Sequence, residues 1–111
     1  MQISINDEGQ TAQVALVGRL DIQGAEAVAM PLAALSGAKQ NILIDMSQVS
    51  FLASIGIRHL VSATKAVSRR GGRVILVGPQ EVVREVLTTA GLATLLPMVA
   101  SESEARAMLT G

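Results

Sequence analysis

The chain has 111 residues, half of them hydrophobic, with nine Lys and Arg set against nine Asp and Glu. This balance leaves no basic field for a phosphate backbone, and the single aromatic residue, Phe51, gives no platform for stacked bases, so nucleic-acid binding is not expected. The absence of cysteine and the presence of one histidine, His59, exclude disulfides, thiolate chemistry and the usual structural zinc sites.

The N-terminus has neither the basic region nor the apolar stretch of a signal peptide. No apolar run approaches the roughly 18 residues that span a bilayer. The expectation is one soluble, cytoplasmic domain over residues 1–111.

Ile3 and Ile5 alternate with polar neighbours and read as a short strand. Residues 6–10 have turn composition and residues 11–17 read as a second strand, which predicts a β-hairpin. Gly18-Arg19-Leu20-Asp21 ends that strand. Asp21 can cap a helix over about residues 23–35, where Pro31 predicts a kink or a late start and Ser36-Gly37 a stop. Ile42-Leu43-Ile44 predicts a strand buried on both faces. It ends in Asp45-Met46-Ser47, and a short connection follows. Ser54 then opens a helix in which Ile57, Leu60, Val61, Thr64 and Val67 recur at helical spacing. Arg69-Arg70-Gly71-Gly72 closes it, with cations in the last turn and glycine beyond.

Val74-Ile75-Leu76-Val77 reads as another buried strand. Gly78-Pro79 starts a third helix, with proline near its first position and Glu81 in its first turn. Val82, Val83, Val86, Leu87 and Ala90 form its apolar face, and Gly91 suits the position after its end. Residues 95–99 predict an edge strand, where Pro97 is tolerated. Ser101 with Glu104 forms a capping box for a helix over residues 105–109. The order β-β-α-β-α-β-α-β-α predicts an α/β fold: a four- to five-stranded mixed sheet, an N-terminal hairpin followed by β-α alternation, with about four helices packed on it.

The position with chemical potential is Ser54. A strand–loop–helix turn presents it to solvent at a helix N-terminus, where the backbone favours negative charge. A hydroxyl so placed can cap the helix, act as a nucleophile or accept a phosphate.

The run Asp45-Met46-Ser47-x-Val49-x-Phe51-Leu52-Ala53-Ser54-Ile55-Gly56-Ile57 resembles the central motif of STAS domains, the bacterial anti-sigma factor antagonists. Gly18-Arg19-Leu20-Asp21, the run from Gly71 to Val77, and Val83-x-x-Val86-Leu87-x-x-Ala90-Gly91-Leu92 resemble the family's other markers in order and spacing. The resemblance implies a phosphoacceptor at Ser54 and a partner-facing set of Asp21, Ala53, Ser54, Ile55, Gly56 and His59. It implies an anti-sigma factor that is also a serine kinase as partner, and a phosphatase that resets Ser54. Membrane insertion, a small-molecule substrate, a metal and a cofactor are not part of that picture. The chain departs from the family at two positions. Ala53 stands where the best-known members carry aspartate, and Ile55 where they carry serine or threonine.

Plainer readings stand beside these. Ser54 and Asp21 can be helix caps, and Asp45 and Ser47 can simply order a loop. His59 can be a solvated helix residue or line a partner surface. Gly56 can permit close packing or a partner's approach. Met46, Leu52 and Ile55 can be core or an apolar rim around Ser54. A serine hydrolase is the remote enzyme alternative. Its nucleophile elbow needs glycine where Leu52 stands, and the only histidine lies on the serine's own helix. A regulatory subunit of a membrane transporter, such as a lipid-transport ATPase complex, is the alternative among interaction modules. No phosphate-binding glycine loop is present.

Overall fold

The computed structural model describes residues 1–110, so Gly111, the last residue of the expected domain, lies outside the described residues. In chain order the elements are β1 (Gln2–Glu8), β2 (Thr11–Leu20), α1 (Ile22–Ala38), β3 (Asn41–Leu52), α2 (Ser54–Ser68), β4 (Arg73–Val77), α3 (Glu81–Thr89), β5 (Met98–Val99) and α4 (Glu102–Thr110). The alternating N-terminus forms the expected hairpin. Its turn is tighter than residues 6–10, because Glu8 already pairs with Thr11. Gly9 takes φ 82°, a left-handed conformation open to glycine, and its N–H donates to Asp7 Oδ1 at 3.0 Å.

The strands lie in the order β1-β2-β3-β4-β5, with β1 antiparallel to β2 and every other pair parallel. This is the expected mixed α/β sheet. Successive side chains of the central strands serve opposite faces. Ile42, Ile44, Val74 and Leu76 pack with Val28 and Leu32 of α1, Leu60 and Val67 of α2, and Val83 and Leu87 of α3. Leu43 and Ile75 point the other way, against Ala105, Met108 and Leu109 of α4.

Several boundaries differ from the sequence expectation. Strand β2 does not end at Gly18 but runs to Leu20, and β3 continues past Ile44 to Leu52. The connection expected after Ser47 is therefore strand. Its register against β2 shifts between Ala15 and Val17 and again between Gly18 and Arg19, so β3 carries an extra residue at each place. Helix α1 starts at Ile22 and passes through Pro31 and Ser36-Gly37 to Ala38, where Lys39 N–H donates to Leu35 O at 2.8 Å. Val28 and Leu32, buried on either side of the proline, hold it to the sheet; packing outweighs the lost hydrogen bond.

Pro79 precedes α3 rather than opening it, and Gln80 is the N-cap. Strand β5 shrinks to two residues, because Leu96 is drawn into the core and its N–H bonds Leu92 O in a turn. The capping box at α4 is half formed. Ser101 Oγ accepts from Glu104 N at 3.3 Å, but Glu104 Oε2 accepts from Ala100 N, at 3.2 Å, one residue early. Gly91 does follow the end of α3 with φ 78°, and Leu92 N–H reaches back to Leu87 O at 3.0 Å.

Candidate functional site

Strands β2 and β3 stay paired to their last residues. Arg19 lies opposite Phe51, Leu20 opposite Leu52, and Ala53 N–H donates to Leu20 O at 2.9 Å. Each strand then turns directly into a helix. Asp21 and Ile22 therefore occupy the cap and first position of α1, and Ala53 and Ser54 the same positions of α2, side by side at the C-terminal ends of two neighbouring strands.

Asp21 is a true cap: its Oδ1 accepts from Gly24 N–H at 2.9 Å. The helix start sits so close to the strand end that a Cβ on residue 24 would collide with the Arg19 carbonyl oxygen. The Gly24 N–H, with help from Arg19, holds the Asp21 carboxyl below its ordinary pKa against the smaller opposing effect of desolvation.

Ser54 is not the cap of α2. That place belongs to Ala53, whose extended backbone (φ −93°, ψ 166°) carries no side-chain acceptor. Ser54 is the first helical residue and is exposed. No hydrogen bond to its hydroxyl occurs among the described residues, and no histidine or carboxylate engages it as a base would. The first helical bond is Ile57 N–H to Ala53 O at 3.1 Å, so the amides of Ser54, Ile55 and Gly56 have no acceptor within the helix.

The remaining expected residues divide. Ala53 and Ile55 are half-buried beside Ser54. Gly56 is buried, and a Cβ there would lie 2.7 Å from Leu20 Cγ and 3.1 Å from Leu52 Cδ1, so this glycine serves close packing of the helix on the strand ends. His59 is half-buried and lines an open crevice of about 80 Å³ between α1 and α2, with Leu32, Ser36 and Ser62. Met46 and Leu52 are core residues, 0% and 5% exposed. Asp45 orders a bulge of β3 rather than a loop: its Oδ1 accepts from Ser47 N at 2.9 Å and from Ser47 Oγ at 2.6 Å.

Three residues that the sequence reading did not place in the site lie at the same strand ends. The Arg19 guanidinium stands 4.3 Å from the centre of the Phe51 ring, and its Nε lies 3.6 Å from Asp21 Oδ2. Phe51 is 39% exposed and Ile22 69%. The available signal was Phe51 itself, the lone aromatic three residues before Ser54, but its pairing with Arg19 depends on a register that only the bulges create. Among the described residues no cluster of three metal-ligating side chains occurs, and no helix is long and apolar enough to cross a membrane.

Comparison with curated proteins finds no match to this sequence. Among solved structures, the anti-sigma factor antagonist SpoIIAA in its unphosphorylated form superposes with a TM-score of 0.84 at 25% identity, over 99% of this chain and 97% of that one. The Bacillus cell fate determinant SpoIIAA in the phosphorylated form gives 0.75 at 23% identity, over 97% and 99%. A putative anti-sigma factor antagonist from Thermotoga maritima gives 0.90 at 22% identity, over 98% and 95%. The murine Solute Carrier 26 family member A9 anion transporter gives 0.76 at 19% identity, over 93% of this chain but only 18% of the transporter. The STAS domain family model matches residues 2–105. With that coverage and this fold, the chain belongs to the STAS domain family.

Proposed function

We propose that this chain is a phosphorylation-switched docking module, one domain working in the cytoplasm as an anti-sigma factor antagonist. It binds an anti-sigma factor with serine kinase activity while Ser54 carries a free hydroxyl, and releases it once Ser54 is phosphorylated. The observation that carries this reading is an exposed hydroxyl, without a hydrogen bond among the described residues, at a strand end that also exposes Phe51, Ile22 and Arg19. Aromatic and arginine side chains are common anchors of protein interfaces. The likeness to SpoIIAA, solved in unphosphorylated and phosphorylated forms, supports the same reading.

The chemistry belongs to the partner. Ser54 Oγ attacks the γ-phosphorus of kinase-bound ATP, the bond to the bridging oxygen breaks, ADP leaves, and the hydroxyl proton passes to a base on the kinase. This chain supplies only the acceptor and its position, and needs no cofactor. A phosphatase hydrolyses the ester to reset the switch. The phosphate adds roughly −1.5 to −2 charges at an edge the partner must desolvate. A penalty of about 3–4 kcal/mol there lowers affinity by roughly two to three powers of ten. Asp21, Ala53, Ser54, Ile55 and the half-buried His59 meet the partner in this account, joined by Arg19, Ile22 and Phe51; the buried Gly56 supports them from within.

The part of the anion transporter that this chain resembles favours a second reading, a regulatory piece of a membrane transporter. One experiment separates the two. Tagged protein is used to capture partners from the source cytoplasm, and the captured kinase is incubated with ATP. The proposal expects a small serine kinase that phosphorylates wild type and not Ser54→Ala. Capture of a transporter subunit, or equal labelling of Ser54→Ala, contradicts it.

A further inference from the structure

Arg58 follows Ser54 by four residues on α2, and both are exposed. Residues at this spacing are neighbours on a helix surface, with Cβ atoms about 5–6 Å apart. Helical side chains lean toward the N-terminus, so an arginine at this position is within reach of the turn that Ser54 begins. An acid placed N-terminal to a base at this spacing is the favourable order. Arg58 forms no ion pair among the described residues, so its guanidinium is not already committed to a carboxylate. Other charged or titratable groups on the neighbouring elements are the Arg19–Asp21 pair at the start of α1, Glu26 on α1, His59 next to Arg58 on α2 itself, and Glu81 in the first turn of α3. Next to Ser54, Ala53 brings no carboxylate that would repel a phosphate or compete for Arg58.

We propose that Arg58 is a positioning residue for the phosphorylated state, its guanidinium holding the Ser54 phosphate against this chain's own helix α2. The proposal rests on Ser54 being the phosphoacceptor and adds what happens to the phosphate afterwards. A planar guanidinium binds phosphate oxygens in pairs, and the free amides at the start of α2 face the same group. Phosphorylation then tightens the start of α2 while it turns the partner away, and the bridged ester is less open to a phosphatase. In the unmodified protein Arg58 is exposed and forms no ion pair among the described residues.

The test uses full-length protein with phosphoserine installed at residue 54 during translation, so it does not depend on any kinase. The second ionisation of the phosphate, ordinarily near about 6, is followed by ³¹P resonance against pH. In wild type it should lie below that of the same phosphoserine in an unfolded peptide. Arg58→Gln should raise it by about 0.3 unit or more, and Arg58→Lys should restore part of the effect. Ala53→Asp should raise it as well, by adding a carboxylate beside the phosphate. Phosphorylation should raise the melting temperature of wild type more than that of Arg58→Gln, while the unphosphorylated forms of the two melt together. Superimposable ³¹P titrations of wild type and Arg58→Gln would overturn the proposal. That outcome, with the partner still discriminating phosphorylated from free protein, would leave the switch intact and remove only the bridge; loss of discrimination with the titration difference intact would do the reverse.

Discussion

Position 53 decides how the second helix begins. Its backbone already has the extended conformation of a cap, yet alanine offers no oxygen to the first-turn amides. Ala53→Asp should therefore raise the stability of the unmodified protein by about 1 kcal/mol, measured by urea denaturation; an unchanged midpoint would show that those amides are satisfied in another way. Asp21 is the counterexample one strand away. Its pKa is depressed in the folded protein, chiefly by the Gly24 N–H, so its stabilising effect is present above the ordinary carboxylate range and is lost as pH falls through the depressed value. Asp21→Ala should melt below wild type at neutral pH, and the two curves should converge in strong acid. Asp21 is readable as a cap because aspartate precedes a helical run. The exchange of roles between Ala53 and Ser54 is not readable, because a serine before an apolar-periodic run looks like a cap even where the helix starts one residue earlier.

At the scale of elements, β3 shows why part of the site stays hidden in sequence. Its first half keeps to the rule of two, with Ile42 and Ile44 on one face and Leu43 on the other. Beyond the first bulge the inward residues are Met46, Val49 and Leu52, three apart, because each extra residue resets the alternation. That spacing reads as connection rather than strand, so the pairing of Phe51 with Arg19 does not emerge from periodicity. Helix α2 carries its apolar spacing as expected and is legible for that reason, whereas in α3 only Val83 and Leu87 are buried and Val86 half-buried; Val82, 53% exposed, and Ala90, also exposed, do not belong to the expected apolar face, because α3 is short and lays a narrow stripe on the sheet.

Gly56 lets α2 settle on the ends of β2 and β3. Gly56→Ala should destabilise by roughly 1–3 kcal/mol in denaturant unfolding, since Leu20 and Leu52 must move; a smaller effect would mean that the two leucines repack freely. Helix α4 depends less on apolar burial. Arg106 spans from Glu102, at 2.9 Å, to both oxygens of Glu8, at 2.9 and 3.0 Å, and so ties α4 to the hairpin. Arg106→Ala should accelerate amide exchange in α4 and leave β3 and β4 protected; uniform acceleration would show that α4 is integral to global unfolding.

At the scale of the whole molecule, one sheet face is covered by α1, α2 and α3 and the other is partly covered by α4. Both helices that start beside Ser54 stand on the first of these faces, anchored by strands paired to their last residue. These strand ends are hydrogen-bonded in their backbone to the last residue and open in their side chains. A modification there can act by blocking a partner, with no large rearrangement of the domain. The direct measurement is titration calorimetry of the captured anti-sigma kinase with unmodified protein and with protein carrying phosphoserine at residue 54. The account predicts a Kd weakened by roughly a hundredfold to a thousandfold on phosphorylation. Equal affinities, within about a factor of two, would contradict it.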